Sequence, residues 1–96
     1  MIVSMLQVLI EMPDVITIKD KRSIVVSIKR KLQSKFKLSC AETDLQESLR
    51  FAQLGAAIVS NSAVFGEKVL NKAIHTVECD FPLRLHSFET RSERYD

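Results

Sequence analysis

The amino-acid sequence predicts an α+β sandwich built in the order β-α-β-β-α-β. Three observations carry that reading. Residues 2–10 (IVSMLQVLI) are rich in β-formers and apolar in both alternating sets, the pattern of a strand covered on both faces. Two later stretches, 18–35 and 62–79, place apolar side chains at helical spacing behind a hydroxyl residue able to cap a helix. Three more β-rich segments, 38–43, 50–60 and 83–91, fill the intervals between and after them.

Taken in order, the first strand ends at Met12-Pro13-Asp14, because proline removes a ladder donor. Thr17 is the expected N-cap of the first helix, with Asp20 a short form of the capping-box acid. Ile24, Val25, Ile28 and Leu32 form that helix's apolar stripe. Leu38 to Thr43 reads as the second strand, and the polar run Asp44 to Ser48 as its hairpin loop. In the third strand Ala52, Gly55, Ala56 and Ala57 leave room for a close neighbour. Asn61 or Ser62 caps the second helix, whose core stripe is Leu70, Ala73, Ile74 and Val77. Its wet face is Glu67, Lys68, Asn71, Lys72 and His75, and Phe81-Pro82 stops it. The fourth strand follows from Leu83, and residues 92–96 read as a frayed polar tail. This order is the ferredoxin-like split βαβ unit. Right-handed crossovers then put both helices on one face of a four-stranded antiparallel sheet.

At 96 residues with 46% hydrophobic and 27% charged side chains, the chain has the composition of one folded domain, residues 1–96. Its N-terminal apolar run carries no Lys or Arg and is too short for a membrane span, so neither a signal peptide nor a membrane partner is expected. Cys40 and Cys79 form no Cys-x-x-Cys pair and are expected to be reduced, largely buried thiols of a cytoplasmic protein.

The net charge of +2 hides an asymmetry. Residues 19–37 hold eight basic side chains (Lys19, Lys21, Arg22, Lys29, Arg30, Lys31, Lys35 and Lys37) against one acid, Asp20, a net +7. The other residues carry six bases and eleven acids, a net −5. The first helix is thus a basic stripe on an acidic protein. It is either a solvated face or a surface for an anion, of which RNA is the best fit. Lys19, Lys21, Arg22, Lys29, Arg30 and Lys31 are the expected phosphate contacts. Lys19, Arg22, Lys29 and Arg30 point away from the Ile28 face, and Lys31 flanks the core stripe.

The first strand makes a second prediction. Val3, Met5 and Leu9 share one side, while Ile2, Leu6, Val8 and Ile10 share the other. Two helices cover one side only. The other apolar set marks an interface, read here as a homodimer contact through Val3, Met5 and Leu9. The competing reading covers that face with the C-terminal segment.

Thr17-Ile18-Lys19-Asp20-Lys21-Arg22, Cys40-Ala41-Glu42-Thr43-Asp44 and Leu54-Gly55-Ala56-Ala57-Ile58-Val59-Ser60-Asn61 resemble ordered segments of the YlxP-like family. The family patterns are Ser-Leu-Lys-Glu-Lys-Arg, Val-Ala-Glu-x-Asp and Leu-Gly-x-x-x-Val-Ser-Asn. These are small bacterial proteins catalogued as a domain of unknown function. The resemblance spans roughly residues 1–91 and implies a ferredoxin-like sandwich. The gene neighbours of such proteins, ribosome-binding factor A and translation initiation factor two, imply a role in ribosome assembly or translation, with ribosomal RNA or a subunit as partner. It supplies no catalytic residue. Leu49-Arg50-Phe51-Ala52-Gln53 departs from the family's Trp-Gln-Arg-Ala-Thr-like run, and Thr17 and Asp20 replace its usual Ser and Glu.

No enzyme is expected. Glu42, Asp44 and Glu47 gather near the hairpin but lack the glycine-supported loop of a calcium site, so they read as a structural acidic edge; the alternative pairs Glu42 and Asp44 with Lys or Arg of the basic helix as surface electrostatics. His75 and Cys79 are two potential zinc ligands, too few for a site. Gly55 and Gly66 are isolated, unlike the glycines of a phosphate loop. No cofactor and no metal are expected. The functional expectation is a non-catalytic RNA- or ribosome-associated protein. The alternative is a homodimeric interaction or structural module with no nucleic-acid role, and a weaker third is a sensor with a small ligand at the dimer interface.

Overall fold

The computed structural model describes residues 1–96. The elements are β1 (Ile2–Glu11), α1 (Ile18–Phe36), β2 (Ser39–Asp44), β3 (Phe51–Ser60), α2 (Ala63–Asp80) and β4 (Arg84–Arg94). They form one antiparallel sheet in the order β2-β3-β1-β4, the ferredoxin-like layout expected from the sequence.

Both helices start where their caps predict. The Asp20 backbone N–H donates to Thr17 Oγ1 at 3.1 Å, and the Phe65 N–H donates to Ser62 Oγ at 3.2 Å. α1 ends on Lys37 in the left-handed conformation (φ 59°), and the Leu38 N–H closes the turn onto the Leu32 carbonyl at 3.1 Å. Both helices lie over the even-numbered face of β1. Leu6, Val8 and Ile10 meet Val25, Ile28 and Leu32 of α1 and Leu70, Ala73, Ile74 and Val77 of α2 in one core. Each fully buried aliphatic side chain there contributes about 1.5–3 kcal/mol.

One close approach needs glycine. Gly66 of α2 passes over Ser4 of β1, whose buried hydroxyl hydrogen-bonds Ser92 of β4 at 2.8 Å. A Cβ at residue 66 would lie 2.7 Å from Ser4 Cβ, far inside van der Waals contact.

The expected frayed tail is corrected. Residues 92–94 continue β4, with Ile2 opposite Arg94 and Ser4 opposite Ser92, and the Tyr95 N–H donates to the Met1 carbonyl at 2.7 Å. The reason is the length of β1, whose first residues offer backbone partners that a polar strand fills as well as an apolar one. This strand lies in the plane of the sheet and does not fold across its helix-free face.

β4 carries an irregularity opposite Leu9 and Ile10, where His86 is the extra residue. It sets His86 Nε2 2.8 Å from Glu11 Oε1, with Arg84 Nη1 at 3.7 Å and the Phe51 ring edge-on to the imidazole at 5.4 Å. The His86 hydrogen bond, then the charge of Arg84, holds the Glu11 carboxyl below its ordinary value of 4.5. A depressed carboxyl stabilises the fold above its unfolded pKa, and that stabilisation is lost as pH falls through the folded value. Glu11→Gln is therefore expected to lower the unfolding midpoint at neutral pH, with the gap to wild type closing below pH 4.5. Thermal melts of both proteins across that range check it.

Candidate nucleic-acid interface

The basic residues of α1 fall into three groups. Lys19, Arg22 and Arg30 are exposed and Lys29 half-exposed, all on the side turned from the core, and none takes part in an ion pair. Lys35 and Lys37, at the helix end, are exposed and equally unpaired. Apart from Asp20 the helix has no acid, so the cations have no local neutralising partner.

Lys31 is different. Its Nζ lies 3.6 Å from Asp80 Oδ2 at the end of α2, so it ties the two helices together. Its charge is partly spent within the protein.

Lys21 is the correction. It is 1% exposed, the largest fully buried side chain of the molecule, and is not available to a phosphate. Its ammonium reaches the β2–β3 loop and donates to the carbonyls of Leu45 (2.7 Å) and Ser48 (2.5 Å), with Glu42 Oε2 at 3.3 Å. The ammonium's donors go to loop carbonyls, with Gln46 O a third at 3.5 Å, and Glu42 adds the opposite charge without accepting a hydrogen bond. The Lys21–Glu42 pair is thus buried and not the surface pairing of the alternative. A sequence signal was available. Residues 21, 25, 28 and 32 repeat at the spacing of one helix face, so Lys21 belongs to the stripe of Val25, Ile28 and Leu32.

The hairpin acids make no metal site. Glu42 is held by Lys21, and Asp44 Oδ1 accepts the Leu45 N–H at 2.7 Å, supporting a loop in which Leu45 is left-handed (φ 62°). No three His, Cys, Asp or Glu side chains converge anywhere in the chain. Cys40 is half-buried, and burial pushes its thiol above the usual range. Cys79 corrects the expectation of a buried thiol. It is exposed on the wet face of α2, one turn from His75, with Sγ 3.6 Å from Nε2.

The predicted interface residues Val3, Met5 and Leu9 lie on the helix-free face, each half-buried. Val3 faces Val59, which is 63% exposed, and Met5 faces Ala57. Small residues at Ala41, Gly55 and Ala57 hollow the middle of this face into a trough of about 480 Å³, rimmed by Glu89 and Arg91. Its single aromatic on β1 and β3 is Phe51, already engaged with His86. The face therefore lacks the row of aromatic rings on which an RRM-type sheet stacks bases.

The fold and its exposed cationic helix define a class: a small α+β sandwich of ferredoxin-like layout with one strongly basic helical edge. No helix is long and apolar enough to cross a membrane. Over residues 3–90 the sequence matches the family described as Protein of unknown function (DUF503), and the chain belongs to that family. No curated protein matches it.

Proposed function

We propose that the protein binds RNA without catalysing a reaction, through the exposed side of α1, and that this RNA is ribosomal. The observation that carries the reading is the set of unpaired cations, Lys19, Arg22, Lys29 and Arg30, on one side of a helix whose only acid is Asp20. Arginine and lysine in such a stripe contact phosphates and position a nucleic acid without reading its sequence. The ribosomal part rests on the YlxP-like resemblance and its translation-linked gene neighbours. Lys21 is left out of the contact set and Lys31 contributes weakly.

The test is cosedimentation with ribosomal subunits across a salt series, beside Arg22→Glu/Lys29→Glu/Arg30→Glu. Binding to one subunit is expected to weaken with salt by about 0.7 in log–log slope per single-strand phosphate, so the triple variant loses roughly two units of slope. Binding unchanged in the variant, or no binding at low salt, rejects the reading.

A second reading is favoured by the helix-free face, where Val59 lies exposed beside Val3 above the trough. Two copies meeting there would cover Val3, Met5 and Leu9, giving a homodimeric interaction module. Sedimentation equilibrium decides it, since a mass of 10.9 kDa at micromolar concentration leaves no dimer to explain.

A further inference from the structure

We propose that the free edge of β4 docks a second copy of the chain, the two β4 strands pairing antiparallel about a two-fold axis at Thr90 to make one continuous sheet. This contact does not depend on RNA binding. It uses the sheet edge, where the dimer considered above uses the helix-free face.

In the order β2-β3-β1-β4 the sheet has two edges, β2 and β4. A strand edge presents unpaired N–H and C=O groups that another strand can meet. The two edges differ. β2 is 6 residues long, and its register breaks between Glu42 and Asp44. β4 is 11 residues long, and from Ser87 to Arg94 it pairs with β1 without a break. That stretch, Ser87-Phe88-Glu89-Thr90-Arg91-Ser92-Glu93-Arg94, holds neither Pro nor Lys, two residues that guard an edge. Phe88 within it is 50% exposed.

The charges select both the partner and the register. Glu89 and Arg91 stand on the helix-free face, at the rim of the trough. Glu89 has no ion pair within the chain, and Arg91 has only Glu93, two residues along the same face. An axis normal to the sheet keeps the helices of both copies on one side, so facing residues share a face. With that axis at Thr90, Glu89 faces Arg91 of the second copy and Arg91 faces its Glu89. The same contact is made twice, as an isologous interface requires. Moving the axis one residue either way sets Glu89 against Glu89 or Arg91 against Arg91, and like charges directly opposite are destabilising. An axis at Phe88 sets Glu89 against Ser87 and runs into the irregularity at His86. One at Ser92 matches Arg91 with Glu93 but pairs only residues 90–94 of β4, against 87–93 for the axis at Thr90.

The test is sedimentation equilibrium of the full chain, of Glu89→Arg, of Arg91→Glu, and of an equimolar mixture of the two variants. The wild type is expected to dimerise at micromolar concentration. Each single exchange turns two facing pairs from opposite to like charge, so its dissociation constant should rise about tenfold or more. The mixture should recover the dimer, because every facing pair in a mixed dimer is again of opposite charge. A monomeric wild type, variants that dimerise like the wild type, or a mixture no better than its components overturns the proposal. Amide hydrogen exchange of the unaltered chain locates the contact whatever the variants do to folding. Exchange within residues 88–92 should slow as the dimer forms with rising protein concentration. A dimer that leaves those amides as fast as in the monomer lies elsewhere, the helix-free face included, and overturns the β4 pairing. Loss of the RNA reading changes none of these outcomes.

Discussion

Lys21→Met is expected to lower the free energy of unfolding by about 3 kcal/mol. Methionine keeps most of the aliphatic stem and its packing beside Val25, so the loss isolates the ammonium. Three groups then lose their partner at once: the Leu45 and Ser48 carbonyls and the Glu42 carboxylate. Removing one member of a buried pair costs about 3–5 kcal/mol. The lower end applies here because the Glu42 side chain is 19% exposed and water can reach it when the loop loosens.

Glu42→Gln is the milder partner experiment. It removes the opposite charge beside Nζ, and the Leu45 and Ser48 carbonyls remain bound. Chemical denaturation of the wild type and the two variants should rank them wild type, Glu42→Gln, Lys21→Met in falling stability. A Lys21→Met protein within about 0.5 kcal/mol of wild type, the range of an ordinary surface exchange, removes the loop clamp. The same variant separates architecture from binding. Where it is folded, its RNA salt slope should equal that of wild type, because a buried ammonium contacts no phosphate.

Lys21 also shows where the sequence was legible and where it was not. An apolar run in both alternating sets located β1, and apolar residues at helical spacing located α1 and α2. Lys21 falls at a core position of that same period. Its charge drew it into the surface group although its spacing placed it with Val25 and Ile28. Charge alone says nothing of burial when a loop of carbonyls is folded over the side chain, and that loop is a tertiary fact. The last three residues of β4 were missed for a related reason. Residues 92–94 are polar, and edge strands are held by backbone pairing more than by side-chain burial. Val3, Met5 and Leu9 needed only strand alternation, and they stand on the helix-free face as alternation demands.

Gly66→Ala is the second large effect, and its sign is the informative part. In an exposed helix interior, replacing Gly by Ala stabilises by about 1 kcal/mol, because alanine has the better helix propensity. Gly66 has an ordinary helical φ, so no backbone conformation favours glycine there. Space decides instead. The new methyl would fall 2.7 Å from Ser4 Cβ and closer still to its hydroxyl. Ser4 is wholly buried and cannot turn away without breaking its 2.8 Å bond to Ser92. α2 must then lift from the sheet, loosening Leu70 and Ala73 one and two turns along. Overpacking of this kind costs about 1–3 kcal/mol, occasionally more, which exceeds the propensity gain. The expected outcome is a net destabilisation of about 1–2 kcal/mol. Adding Ser4→Gly removes both clashing atoms and should recover part of the loss, a coupling that a double-mutant cycle reads directly. Stabilisation by Gly66→Ala alone would mean that α2 rides higher over β1 than this packing allows. Additive effects of the two exchanges would mean that Ser4 and Gly66 are not in contact.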